Sequence, residues 1–127
     1  MINIEAIDLE LTCIAQAIYH EAHTESLTAQ LGVAYVILNR MTASHKDACE
    51  IVFSKGQFQG ISDMVTQKHE PASKEDLLKA KRVALNAWYK KLPNPIGNAR
   101  YFHDDSIRPT WAYRHSKTIT LDHLIFY

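Results

Sequence analysis

Between Ser26 and Met41 the apolar residues Leu27, Leu31, Val33, Ala34, Val36, Ile37 and Leu38 cover most of a helical cylinder. A helix with so little polar surface has to be buried, so the rest of the chain must wrap it. Ser26 is placed to cap its first turn. Upstream, Ile7, Leu11, Ile14, Ile18 and Ala22 recur at three- and four-residue steps, which predicts an amphipathic helix from about Leu9 to His23. Asp47 to Phe53 reads as a short third helix, followed by a loop from Ser54 to Gly60 and an aperiodic stretch from Ile61 to Pro71. Ser73 with Asp76 three residues on opens another helix, whose apolar positions Leu77, Leu78, Ala84, Leu85, Trp88 and Leu92 stop before Pro93-Asn94-Pro95. From Asn98 onward aromatic and β-branched residues dominate. Ala99 to His103 reads as a strand, and Thr118 to Leu121 with Leu124 to Tyr127 as a hairpin around Asp122-His123. Helices first and a small antiparallel sheet last predict an α+β fold, mainly helical. At 127 residues the chain is expected to be one domain, residues 1–127, around one core.

Charge and cysteine content narrow the function classes. Fourteen basic residues balance fourteen acidic ones, so the sequence offers neither a nucleic-acid surface nor an electrostatically driven membrane patch. No apolar run approaches the roughly 20 residues that span a bilayer. The first twenty residues carry Glu5, Asp8 and Glu10 without a basic head, so they do not read as a secretory signal. Cys13 and Cys49 stand apart in no metal or redox spacing and read as buried free thiols of a protein made in a reducing compartment.

Chemistry concentrates at the end of the first helix. Glu21 lies on the apolar stripe, three residues after Ile18, and Glu25 follows by one turn if the helix runs that far. A half-sunk carboxyl with a second acid nearby has its proton held by desolvation and like-charge repulsion, which suits a general acid. The plainer reading is two solvated glutamates at a helix end. His20 and His23 stand three apart rather than in the four-residue step of a zinc helix, and no third ligand is evident, so neither metal nor other cofactor is expected. There is no nucleophile elbow and no glycine-rich phosphate loop. Tyr101, Phe102, Trp111 and Tyr113 are interleaved with polar residues, a mixture that can floor a sugar-binding cleft or fill the core of a sheet.

Four segments together resemble one family, the SleB/CwlJ cell-wall hydrolases: Ile14 through Glu25, Gln30 through Arg40 (Gln-Leu-Gly-Val-Ala-Tyr-Val-Ile-Leu-Asn-Arg), Gly56-Gln57-Phe58, and Tyr101-Phe102-His103 through Pro109-Thr110-Trp111-Ala112 to Phe126-Tyr127. The resemblance implies a compact lysozyme-like catalytic domain that cuts peptidoglycan glycan strands between N-acetylmuramic acid and N-acetylglucosamine. It puts the catalytic glutamate on Glu21 and substrate-lining roles on Glu25, Gln57, Phe58, Tyr101, Phe102, His103 and Trp111. The family usually has glycine where this chain has His20, Arg-Gly where it has His23-Thr24, and Gly-Asn-His where it has Asp122-His123-Leu124. The resemblance favours a lytic transglycosylase, in which one glutamate serves as acid and then base. A hydrolytic muramidase would need a partner among Glu25, Asp104 and Asp105. An amidase or endopeptidase and a non-catalytic wall-binding module are the alternatives of other classes. The expected setting is a monomeric phage endolysin, made in the host cytoplasm without a signal and released by a holin, or carried in the virion.

Overall fold

The computed structural model describes residues 3–54 and 72–127, so Gln57 and Phe58 lie outside the described residues. The helices are α1 (Ile4–Ala22), α2 (Leu27–Ser44), α3 (Ala48–Val52) and α4 (Lys74–Trp88). Strand β1 (Phe102–Asp104) follows, then a 3-10 turn (Thr110–Arg114), β2 (Ile119–Leu121) and β3 (Leu124–Phe126). This is the expected α+β arrangement.

The helices begin where side chains can satisfy backbone N–H groups that no preceding turn can. Ser26 Oγ accepts from Ala29 N at 3.3 Å, and Ser73 Oγ accepts from Asp76 N at 3.1 Å. Asp47 and Glu50 form a reciprocal capping box at α3, where Glu10 of α1 also accepts from Ala48 N at 2.8 Å. Helix α1 starts five residues earlier than its apolar stripe suggests. There the Asn3 side chain caps Ala6 N, and of the added residues only Ile7 is partly buried and packs against the core. Helix α2 is the buried centre: every residue from Leu31 to Ile37 is buried, and α1, α3, α4 and β2 all pack against it.

The two cysteines are not free thiols. Cys13 on α1 and Cys49 on α3 stand with Cα atoms 5.2 Å apart and form a disulfide across 36 residues of sequence. Their spacing along the chain carries no sign of this, because the approach is created by the packing of α3 onto α1. The expectation of a reducing compartment falls with it, since structural disulfides persist in oxidising surroundings.

The sheet is antiparallel in the order β1-β3-β2, with Phe102 opposite Phe126, His103 opposite Ile125 and Asp104 opposite Leu124. On the other side of β3, Ile119 pairs with Phe126 and Leu121 with Leu124. One face turns Leu124 and Phe126 into the core, and the alternation of strands leaves Tyr101, His103, Ile125 and Tyr127 to the other. Helix α2 admits the sheet through Gly32. A Cβ there would lie 2.7 Å from Cζ and 3.1 Å from Cε1 of Phe126, and 3.3 Å from Cγ2 of Ile96.

Two outcomes follow from this packing. Gly32→Ala should destabilise the fold by about 1–3 kcal/mol, because Phe126 is fully buried and has no room to turn aside; a thermal or urea midpoint equal to wild type would contradict the close packing. Reducing the disulfide, or replacing both cysteines by alanine, should remove about 4 kcal/mol by the loop-entropy relation for 36 residues. A melting point indifferent to reductant would show that the crosslink does not constrain the unfolded chain.

Candidate active site

Helix α1 ends at Ala22, and the chain turns back before α2. Glu21 therefore sits in the last turn of α1, half-buried between the buried Ile18 and Ala22 of the same helix. Glu25 is not one helical turn further on, as a longer helix would have placed it. It lies in the turn, where its N–H donates to the Ala22 carbonyl at 3.0 Å. Helix α1 stops here because His23 closes it: the His23 N–H and its ring Nδ1 both donate to the Tyr19 carbonyl, at 3.2 and 2.8 Å, and its ring stacks on Tyr19 at 4.6 Å. That use of Nδ1 commits His23 to the helix end. Among the described residues no three His, Cys, Asp or Glu side chains gather as a ligand set.

The turn is fastened to the sheet. Ser26 N donates to Asp122 Oδ2 at 2.8 Å, which holds the Asp122 carboxyl below the usual range, first through its bonds with Ser26. Asp122 occupies the left-handed region at φ 51°, as a two-residue hairpin turn requires. Next to it, His123 Nδ1 is 3.2 Å from both oxygens of the Glu25 carboxylate. The Glu25 side chain is only 9% exposed, whereas His123 is 69% exposed. The bond and charge of Glu25, then Asp105 and Asp104, raise the His123 pKa. Asp105 N completes the junction by donating to the His123 carbonyl at 2.7 Å. Asp104 is exposed; its carboxyl is lowered mainly by bonding to Ser106, whose N–H it accepts at 2.8 Å.

Along β1, away from this junction, runs an aromatic face. His103 is buried, at 7% exposure. Its Nδ1 lies 2.7 Å from the Asp104 carbonyl, which can only accept, so Nδ1 carries a proton; in the neutral ring Nε2 then accepts from the Tyr127 hydroxyl, 2.9 Å away. Trp111, on the 3-10 turn, meets His103 at 5.7 Å, Tyr127 at 5.3 Å and Tyr101 at 5.6 Å between ring centroids. His115 lies against Tyr101 at 4.8 Å. Tyr101, His103 and Trp111 are thus brought together. Phe102 is not with them: it points to the opposite face and packs on Phe126. Tyr113 also stands apart, 71% exposed beneath Arg108.

Tyr127, His115 and His123 were not singled out from the sequence. Period-two alternation would have placed Tyr127 on the face of Ile125, and hence of His103, once the strand register was known. For His115 and His123 the sequence holds no local signal.

The pH dependence of the junction has a definite sign. A histidine whose folded pKa is raised contributes stability that is fully present below its unfolded pKa and is lost as pH rises through the folded value. Wild type should therefore melt above His123→Ala near pH 5.5, where imidazole is charged and carboxylates are ionised, and the gap should close by pH 8.5. A gap that is constant with pH would mean that His123 contributes packing only.

A family model described as Cell Wall Hydrolase matches residues 24–127, a span that takes in Glu25 and the whole sheet and begins just after Glu21. The curated spore cortex-lytic enzyme of Bacillus cereus is 29% identical over 109 residues. That match covers 82% of this chain and 38% of the relative, so the chain spans well under half of that protein. Among solved structures, the fold is similar to the catalytic domain of the germination-specific lytic transglycosylase SleB from Bacillus anthracis: TM-score 0.74, 26% identity and 92% of each chain covered. The catalytic domain of the Bacillus cereus SleB protein is similar with TM-score 0.72 and 25% identity, over 92% of this chain and 88% of that one.

Proposed function

The chain belongs to the cell wall hydrolase family, and on that premise we propose that it cleaves peptidoglycan glycan strands as a lytic transglycosylase with Glu21 as acid and base. The observation that carries the reading is the likeness, over nearly the whole chain, to a lytic transglycosylase catalytic domain. The local chemistry supports it. Glu21 ends an apolar helix face, where lost hydration favours the protonated carboxyl that glycosidic cleavage needs. Tyr101, Trp111 and Tyr127 gather apolar ring surface on one face of the sheet, suited to the faces of sugar rings.

In this mechanism Glu21 gives its proton to the glycosidic oxygen as the bond to muramic-acid C1 breaks. The resulting carboxylate then takes the proton of the muramic-acid C6 hydroxyl, whose oxygen closes on C1 to form a 1,6-anhydro ring. No water is consumed and Glu21 ends protonated, ready for the next cycle. Glu25, held by His123, is the candidate partner if the enzyme hydrolyses instead. The phage endolysin role is the finer part of the proposal. What supports work outside the cytosol is the Cys13–Cys49 disulfide.

Glu21→Gln should fold normally and lose at least about 10² to 10⁴ in rate on purified sacculi, the usual worth of a positioned general acid. Glu25→Gln should cost much less. Mass spectrometry of the wild-type products should show 1,6-anhydro ends, one water lighter than reducing ends. A folded Glu21→Gln protein that clears sacculi at wild-type rate would overturn the assignment. Reducing ends together with an equally damaging Glu25→Gln would replace the lyase by a hydrolase.

A further inference from the structure

Beyond Tyr101 the aromatic face opens into a cavity of about 420 Å³, lined by Arg40, Ser44, Lys46, Ser54, Arg100 and Tyr101. A second space of about 380 Å³ shares Ala43 and Arg100 with it and adds Asn39, Thr42 and Asn98. Three cations border the first cavity, and no described residue lining either space is a carboxylate. In a chain whose formal charges sum to zero this is a local segregation rather than a consequence of general basicity. Among the described residues, Lys46 and Arg100 have no ion-pair partner.

The cations are also positioned. Arg100 is clamped through its backbone: its N–H donates to the Tyr127 carbonyl at 2.8 Å, and its own carbonyl accepts from Arg40 Nε at 2.6 Å. Its side chain is what remains to border the cavity. The Arg40 guanidinium lies 5.3 Å from the centre of the Tyr101 ring, and burial lowers its pKa, a sign of a cation short of hydration. Lys46 and Arg100, without an ion-pair partner among the described residues, are stabilised by an anionic occupant, and the volume suits a small ligand group.

Tyr101 is a wall of this cavity and also a member of the aromatic face, so whatever lies on that face has its side groups within reach. From Asp104 to Arg100 an extended chain covers about 13 Å, so the cationic cavity and the Glu25 junction stand at opposite ends of β1. Peptidoglycan carries peptide stems, rich in carboxylates, on the lactyl groups of its muramic acids. We propose that the Arg40, Lys46 and Arg100 cavity is a subsite for a carboxylate of the peptide stem. The assignment rests on the reading that the glycan strand lies along the aromatic face. A phosphodiester of an anionic wall polymer would offer similar charge, and the test separates the two.

The test uses wild type and a Lys46→Ala, Arg100→Ala double variant, with equal folding checked by circular dichroism. Each is assayed on intact sacculi, on sacculi stripped of stems by an amidase, and on walls with and without phosphodiester polymer; each is also titrated with a soluble stem peptide. The variant should show KM raised about tenfold or more on intact sacculi and affinity for the soluble peptide weakened by a similar factor. On stripped strands kcat and KM should match wild type. Equal peptide affinity in the two proteins would overturn the subsite, as would a KM difference seen only on walls carrying phosphodiester polymer. The glycosidic reading is judged separately, by whether wild type releases glycan-cleaved products from intact sacculi.

Discussion

The arrangement depends on a row of donors along one edge of α2. Tyr35, Asn39 and Arg40 reach out of an otherwise apolar helix to the irregular segment between α4 and β1. The Tyr35 hydroxyl donates to the Leu92 carbonyl at 2.6 Å, Asn39 Nδ2 to the Gly97 and Ala99 carbonyls at 2.9 and 2.8 Å, and Arg40 Nε to the Arg100 carbonyl. This segment has no helix or sheet ladder to satisfy its carbonyls, and each buried one left without a donor would cost about 1–3 kcal/mol. The helix that fills the core thus also sets the path of the chain into β1. Gly32, on the same helix, lets Phe126 of the central strand come within van der Waals range. Position and orientation of the sheet are both dictated by α2.

A second tie closes the opposite end of the sheet. The β2–β3 turn is held to the start of α2 by Asp122, which accepts from the N-cap N–H of Ser26, where the positive end of the helix favours a carboxylate. Beside it, His123 holds the Glu25 carboxylate in the turn that ends α1. Movement of the hairpin would therefore displace the turn that follows Glu21, so the candidate acid and the sheet are mechanically coupled although they are about a hundred residues apart.

How much of this could be read from the chain depended on whether the information was local. The stripe Ile14, Ile18, Ala22 and the cap signals at Ser26, Asp47 and Ser73 mark helices because period and capping act within a few residues. The hairpin around Asp122-His123 was legible for the same reason. The Cys13–Cys49 bond was not, since it depends on α3 docking onto α1. Strand β1 begins at Phe102 rather than Ala99, because the carbonyls of Ala99 and Arg100 bond to α2 and not to a neighbouring strand. At the site, Glu21 was marked by its place on the apolar stripe. The setting of Glu25 could not be inferred, because it follows from His23 ending the helix and from a histidine 98 residues away. Tyr101 and Trp111 were recognisable as cleft material by residue type, yet only the strand register separates them from Phe102, which fills the core.

A zero net charge, which spoke against a nucleic-acid surface, hides an uneven distribution. Glu25, Asp104 and Asp105 gather around His123 at one end of β1, while Arg40, Lys46 and Arg100 line the cavity at the other. A strand laid along the aromatic face as proposed, with carboxylates only on its muramic-acid side groups, meets repulsion at the first end and attraction at the second. In the proposed binding mode both forces favour the registers that place a stem in the cavity and none at the acidic junction, whichever way the strand runs, because a stem recurs on every muramic acid. Stacking on Tyr101 and Trp111 cannot make this choice, since it acts alike on sugar rings with and without a stem. On the proposed reading the charge pattern sets the register that the aromatic surface leaves open, and register decides which glycosidic oxygen, and which muramic-acid hydroxyl, is presented to Glu21.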